Sequence, residues 1–202
     1  MTRLRVALAA TVVALVVAAT AAGARHEVVE DPRDTPGRLD VQAVRLRHDE
    51  GPPQWRIVTF ARWTIPQIWD LGFLVVELDT RADDAIDFRV VVRSDGRRLE
   101  ATLYRVRRDG AARPAGTVPA GKAGGRAVAV RVALRKMAVG PNRLVYRWSV
   151  ATLFTGSTCP RSCLDRVPDS GLAEQPMPGV TPSPTPTPSP TPSPTPTPTS
   201  SP

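Results

Sequence analysis

The chain has 202 residues, 42% hydrophobic and 23% charged, with a formal net charge of +8. Set apart from its low-complexity ends, that is enough chain for one domain with a proper core. The charge does not mark a nucleic-acid binder. All but two of the 27 basic residues are arginines, spread along nearly every predicted strand with acidic residues between them; a binder clusters its basic residues on one face and interleaves exposed aromatics.

The first residues read "MTRLRVALAATVVALVVAATAAGARH". Arg3 and Arg5 precede an apolar run, and Ala22-Gly23-Ala24 has the small-x-small form of a cleavage site. Residues 1–24 therefore read as a signal peptide, with an apolar run too short for a span of about 20 residues. Cleavage would leave a secreted or envelope-associated chain of about 178 residues, in contact with the membrane only before processing. Residues 25–37 read as a flexible leading segment.

The domain is expected over 38–175. Within it, runs at 39–48, 55–63, 72–79, 86–94, 97–106, 126–134 and 143–154 are rich in Val, Ile, Leu and aromatics and end at Gly, Pro, Asp or Asn. Short strands at such intervals, without helical periodicity, predict an all-β chain: an antiparallel, jelly-roll-like β-sandwich of about 7–9 strands. In "RVVVRSDGRRLEATLYR", Asp95-Gly96 predicts a two-residue hairpin loop pairing Ser94 with Arg97, Val92 with Leu99 and Val90 with Ala101. One face of that hairpin is apolar and the other is charged, as expected where one side meets water. "WRIVTFARW" is apolar on both parities, which predicts a central strand, and Trp148 falls on the core parity of the last strand. Residues 107–126, rich in Gly and Pro without apolar pattern, read as a long mobile loop.

Cys159 and Cys163 in "TCPRSCLD" read as a disulfide stapling a surface loop, since an even pair in an exported chain favours oxidation. A zinc site would need further nitrogen or sulfur ligands, and the only histidines, His26 and His48, lie far upstream. Residues 176–202, ending in "TPSPTPTPSPTPSPTPTPTSSP", have no means of forming a core and read as a disordered, polyproline-type tail. An attachment element, a glycosylated stalk and a remnant linker all fit it.

Little else resembles chemistry. "LDTRADDAIDF" places aspartates where one strand turns into the next, and Asp79, Asp83 and Asp87 could supply oxygen ligands to calcium, with Asp87 on the solvent face of its strand. The other reading is a turn in which Asp caps backbone amides and Arg81 and Arg89 offset the charge. Calcium is the one candidate cofactor. No nucleophile elbow, zinc-protease helix or phosphate loop is present. Carboxylate pairs drawn from Glu77, Asp79, Asp87 and Glu100 are no more than an acidic β-protein would offer, so the chain reads as a non-enzyme. Trp69 in "TIPQIWD" sits in a Pro-interrupted connection where its ring would be partly exposed. It is either a sugar-stacking platform or a lid on one end of the core.

Residues 55–106 combine a Trp-flanked strand, the "LDT" strand end, an acidic turn with "DF" and a "VRSDG" hairpin, and "CLDRVPDSG" follows the last strand. This combination resembles a group of poorly characterised exported domains of GC-rich bacteria and, more distantly, sandwiches of the DOMON and family-9 carbohydrate-binding-module type. The resemblance implies an antiparallel sandwich that binds sugars, sometimes with calcium or haem. No motif ties His48 or Met137 to the axial haem role. The expected protein is a monomeric, non-enzymatic exported module binding carbohydrate or cell-wall glycan. A structural or display domain of the envelope is the alternative, and a hydrolase ranks third.

Overall fold

The computed structural model describes residues 25–177 apart from 50, 138, 140–142 and 157. The expected signal peptide and nearly all of the expected tail lie outside the described residues. Strands are numbered in chain order. One sheet has five strands in the order β1 (Arg25–Glu30), β2 (Val41–His48), β3 (Gln54–Thr59), β9 (Ala127–Arg131) and β8 (Ala120–Lys122). The other has seven: β11 (Cys159–Val167), β10 (Val145–Gly156), β4 (Gly72–Asp79), β5 (Phe88–Ser94), β6 (Leu99–Val106) and β7 (Ala112–Thr117) in order, with β12 (Ala173–Pro176) also on β10. Every pairing is antiparallel. The chain is an all-β antiparallel sandwich.

The two-residue period of a strand places the core. On β5, Phe88, Val90, Val92 and Ser94 are buried, while Arg89, Val91 and Arg93 point outward. β3 lies between β2 and β9 as its two-sided apolar sequence predicted, and Trp55, Ile57 and Trp148 are fully buried.

Twelve strands are present among the described residues, more than the 7–9 expected. The seven predicted runs all form strands, and the additional five come from segments without apolar alternation. Residues 25–30, expected to be flexible, pair along β2 as β1. The expected loop 107–126 instead forms β7 on the edge of one sheet and β8 on the edge of the other. The chain changes sheets between them at the buried Val118. The expected loop around the cysteines is mostly β11, and the domain runs past 175, because Pro176 pairs with Val145 and Met177 is buried. A common cause underlies these differences. An unpaired sheet edge offers backbone donors and acceptors to any neighbouring segment, so pairing there needs no apolar side chains.

The predicted hairpin forms with a shifted register. Ser94 pairs with Leu99, Val92 with Ala101 and Val90 with Leu103. Asp95 Oδ1 accepts the amides of Arg97 at 2.8 Å and Arg98 at 2.7 Å, which diverts both amides from the ladder, while the Asp95 amide donates to Arg98 O at 3.1 Å across a loop widened to Asp95–Arg98. The shift is an even one, so each side chain keeps its expected face. Gly96 has φ +88° and lies under the Trp69 ring, which a Cβ at Gly96 would approach to 3.4 Å.

Cys159 and Cys163 are disulfide-bonded, with Cα atoms 5.7 Å apart. Ends of a straight strand with that separation would stand about 13 Å apart. The chain between them bulges, since Phe154 faces Cys163 while Gly156 faces Cys159, and the bond closes the bulge.

Two stability outcomes follow from these turns. Gly96→Val should lower unfolding free energy in a urea titration by about 1–2 kcal/mol, the cost of a left-handed backbone for an L side chain. Reduction of the disulfide should cost about 2 kcal/mol, as expected for so short a closed loop, and leave a folded protein with a lower Tm.

Candidate functional site

Three places gather polar or exposed aromatic groups. In the loop between β4 and β5 the aspartates act on the loop itself. Asp79, fully buried, accepts the amides of Arg81 at 3.1 Å, Asp83 at 3.3 Å and Asp84 at 2.8 Å. Asp87 Oδ2 accepts the Thr80 amide at 2.9 Å and its hydroxyl at 2.8 Å, and the other oxygen pairs with Arg81. Ala82 and Asp84 hold positive φ of 53° and 64° to complete the turn. Asp87 is therefore buried within the loop, contrary to its expected exposure to solvent. Asp83 is exposed and its carboxylate meets the Ala85 amide at 3.3 Å. Asp79, Asp83 and Asp87, the residues expected to supply calcium ligands, hold backbone amides, and Asp83 and Asp87 also pair with Arg81.

The second place is Glu77, on the outward-facing parity of β4 yet buried. It accepts Arg166 Nη1 at 2.8 Å, Arg89 Nε at 2.9 Å and the Ser149 hydroxyl at 3.2 Å. Burial alone would raise its pKa, but Arg166 and Arg89 together outweigh it and hold the carboxyl below its usual value. Both of its oxygens are engaged by these donors, and the cluster ties β11, β10, β4 and β5 across the outer face of the seven-stranded sheet.

The third place is Trp69. A short 3-10 turn, Pro66–Ile68, ends at it, and Ile68 is the only buried residue of that turn. Pro66 pre-sets the turn, and the Ser94 hydroxyl donates to Ile65 O at 2.7 Å while accepting the Gly96 amide at 3.0 Å. Those two bonds fix the Asp95–Arg98 turn against this segment. The Trp69 ring lies on Gly96 with one face while the side chain stays 54% exposed, and neighbouring Leu71 is 42% exposed. The other tryptophans, Trp55, Trp63 and Trp148, are core residues. Of the two haem-type residues, His48 is buried and its Nδ1 lies 3.3 Å from the Tyr146 hydroxyl, and Met137 is buried in the turn Leu134–Met137.

Sequence reasoning missed a further cluster. Among the described residues, Asp31, Asp34 and Asp165 are the group of three acidic side chains whose oxygens lie within 4.8 Å of one another. Burial, followed by the charges of Asp165, Asp169, Asp34 and Asp40, pushes Asp31 up to about 7. More than a hundred residues separate Asp31 from Asp165, so no spacing along the chain could have shown the group.

Compared with protein-family models, curated proteins and solved structures, the chain finds no match in any of the three.

The Glu77 cluster sets a pH dependence. Its folded pKa is depressed, so its stabilisation is fully present above the ordinary glutamate value of 4.5 and is lost as pH falls through the folded one. Glu77→Gln should cost about 1–3 kcal/mol at pH 7. That is less than the cost of breaking a fully enclosed pair, because the Arg89 and Arg166 side chains are 40% and 36% exposed. Parallel melts of parent and variant should converge as the pH is taken down into the acid range; a gap that does not narrow would assign the loss to packing.

Proposed function

We propose that this chain is an exported, non-enzymatic binding module whose ligand is carbohydrate or cell-wall glycan, held at Trp69. One observation carries the reading: an indole seated on a glycine turn in a residue that stays 54% exposed. A pyranose presents an apolar face that stacks on such a ring, while the indole N–H and nearby polar groups meet hydroxyls. The support is rigid where it has to be. Ser94 and Asp95 lock the turn beneath the ring through bonds to Ile65, Gly96, Arg97 and Arg98, so little ordering is lost when a ligand arrives.

The resemblance to sugar-binding sandwiches points the same way. So does the state of the four carboxylates from which a hydrolase pair would be drawn. Glu77, Asp79 and Asp87 are engaged as described, and Glu100 is an exposed partner of Arg98 at 2.9 Å.

A glycan array, followed by pull-down on purified cell-wall material, identifies the ligand, and Trp69→Ala tests the site. The variant should keep nearly the parent Tm, because most of the side chain is already exposed, and should lose about 1–3 kcal/mol of binding as an aromatic hot spot does. A large fall in Tm with binding unchanged makes Trp69 a structural lid and leaves the display-domain reading in its place.

A further inference from the structure

We propose that Asp31, Asp34 and Asp165 form a calcium-class cation site that joins the two sheets. The residues come from both sides of the sandwich. β1 continues its ladder one step past Glu30, where the Asp31 amide donates to Gln42 O at 3.0 Å. The chain then leaves the five-stranded sheet in the loop 31–40 and returns at Val41. Asp165 comes from β11, at the edge of the seven-stranded sheet, on the inward parity it shares with Val167. A bond between the sheets already runs through it, since Asp165 Oδ2 accepts the Val41 amide at 2.6 Å. The loop is fixed over the site from the other end. Gly37, at φ +122°, leaves 3.0 Å between a Cβ position and the Phe154 ring, and the Thr35 hydroxyl lies 3.4 Å from Leu164 O.

Two features separate this group from an ordinary patch of surface acid. Asp31, Asp40 and Asp165 are 7%, 3% and 4% exposed. Asp31 Oδ2 is also enclosed with no hydrogen-bond partner among the described residues, the state that costs a carboxylate most. Asp40, also buried, stands outside this set of three and adds negative charge near it. Positive charge at the site is sparse: Arg33 Nε lies 3.9 Å from Asp40, and that side chain is 78% exposed.

The chemistry selects the ion. The donors are all carboxylate oxygens, which suit hard cations and not zinc or copper. Oxygens bound to one calcium lie no more than about 5 Å apart, and those of Asp31, Asp34 and Asp165 lie within 4.8 Å of one another. Calcium accepts the irregular set that a loop and a strand provide, whereas magnesium demands a near-ideal octahedron. An ion here would offset the mutual repulsion of these carboxylates and give the unpartnered Asp31 oxygen a ligand.

Calcium chloride is titrated into the chelator-treated full chain, with heat and Tm as readouts. Calcium should bind and raise Tm, and magnesium should shift it less. Asp34→Asn is the informative variant, since Asp34 is exposed and its hydrogen bond is to the Thr35 hydroxyl at 3.2 Å. It should keep the fold and weaken calcium by about tenfold or more, in line with the dependence of such sites on ligand charge. Asp83→Asn, in the other acidic loop, should leave calcium affinity unchanged. The proposal is overturned if calcium up to about 10 mM, beyond the weakest protein calcium sites, gives neither heat nor a Tm shift. It is equally overturned if Asp34→Asn and Asp31→Asn, both folded, bind calcium as tightly as the parent, or if sodium chloride of equal ionic strength reproduces the shift.

Discussion

Trp55 of β3 meets Tyr146 of β10 edge to face, with ring centroids 6.4 Å apart, and the Tyr146 hydroxyl reaches His48 of β2. This aromatic contact joins a strand of each sheet, and the remaining features are arranged around it. All three side chains are almost fully enclosed, and removing a large apolar side chain from water contributes about 1.5–3 kcal/mol. Once that contact is made, the parity of three strands is fixed, and the ladders pass it on to their neighbours. Burial lowers the His48 pKa, more than the Asp49 charge restores it, so the imidazole belongs to the core as a neutral group.

Around this core, carboxylates build loops. Asp79 and Asp95 each accept two or more amides of their own turns, Asp87 holds Thr80, and Asp165 holds Val41 across the sheets. Loops of a sandwich leave many backbone N–H groups outside any ladder, and an acidic side chain satisfies them at short range. The same habit explains why an acid-rich stretch is weak evidence for a metal. In the β4–β5 loop the carboxylates are met by backbone amides and by Arg81 and Arg147, whereas Asp31 keeps an enclosed oxygen without a partner among the described residues.

The arginines are distributed in an equally specific manner. Arg89 and Arg166 close on Glu77, and Arg81 and Arg147 close on the aspartates of the β4–β5 loop. On the five-stranded sheet, Arg45 and Arg56 face each other directly, and among the described residues neither forms an ion pair with a carboxylate. Lys122 differs from all of these: its ammonium lies 3.3 Å from the centre of the Trp63 ring and donates to Trp63 O, while burial lowers its pKa to about 8.

Alternation of apolar residues by itself determined the class of the fold, its seven principal strands, the central position of β3 and the faces of the β5–β6 hairpin. Side-chain period and burial are local properties, legible wherever a strand has one wet and one dry side. The pairing of Cys159 with Cys163 and the exposure of Trp69 were legible for the same reason, since each depends on neighbours close in sequence. The tertiary structure decided what depends on distant backbone. Edge strands such as β1, β7 and β11 form through main-chain bonds that leave no mark on side-chain pattern. The hairpin register was decided by the competition of the Asp95 carboxylate for amides that a two-residue loop would have placed in the ladder. The meeting of Asp31 with Asp165 required both sheets to be in place, because only their packing brings the end of β1 to the inner side of β11.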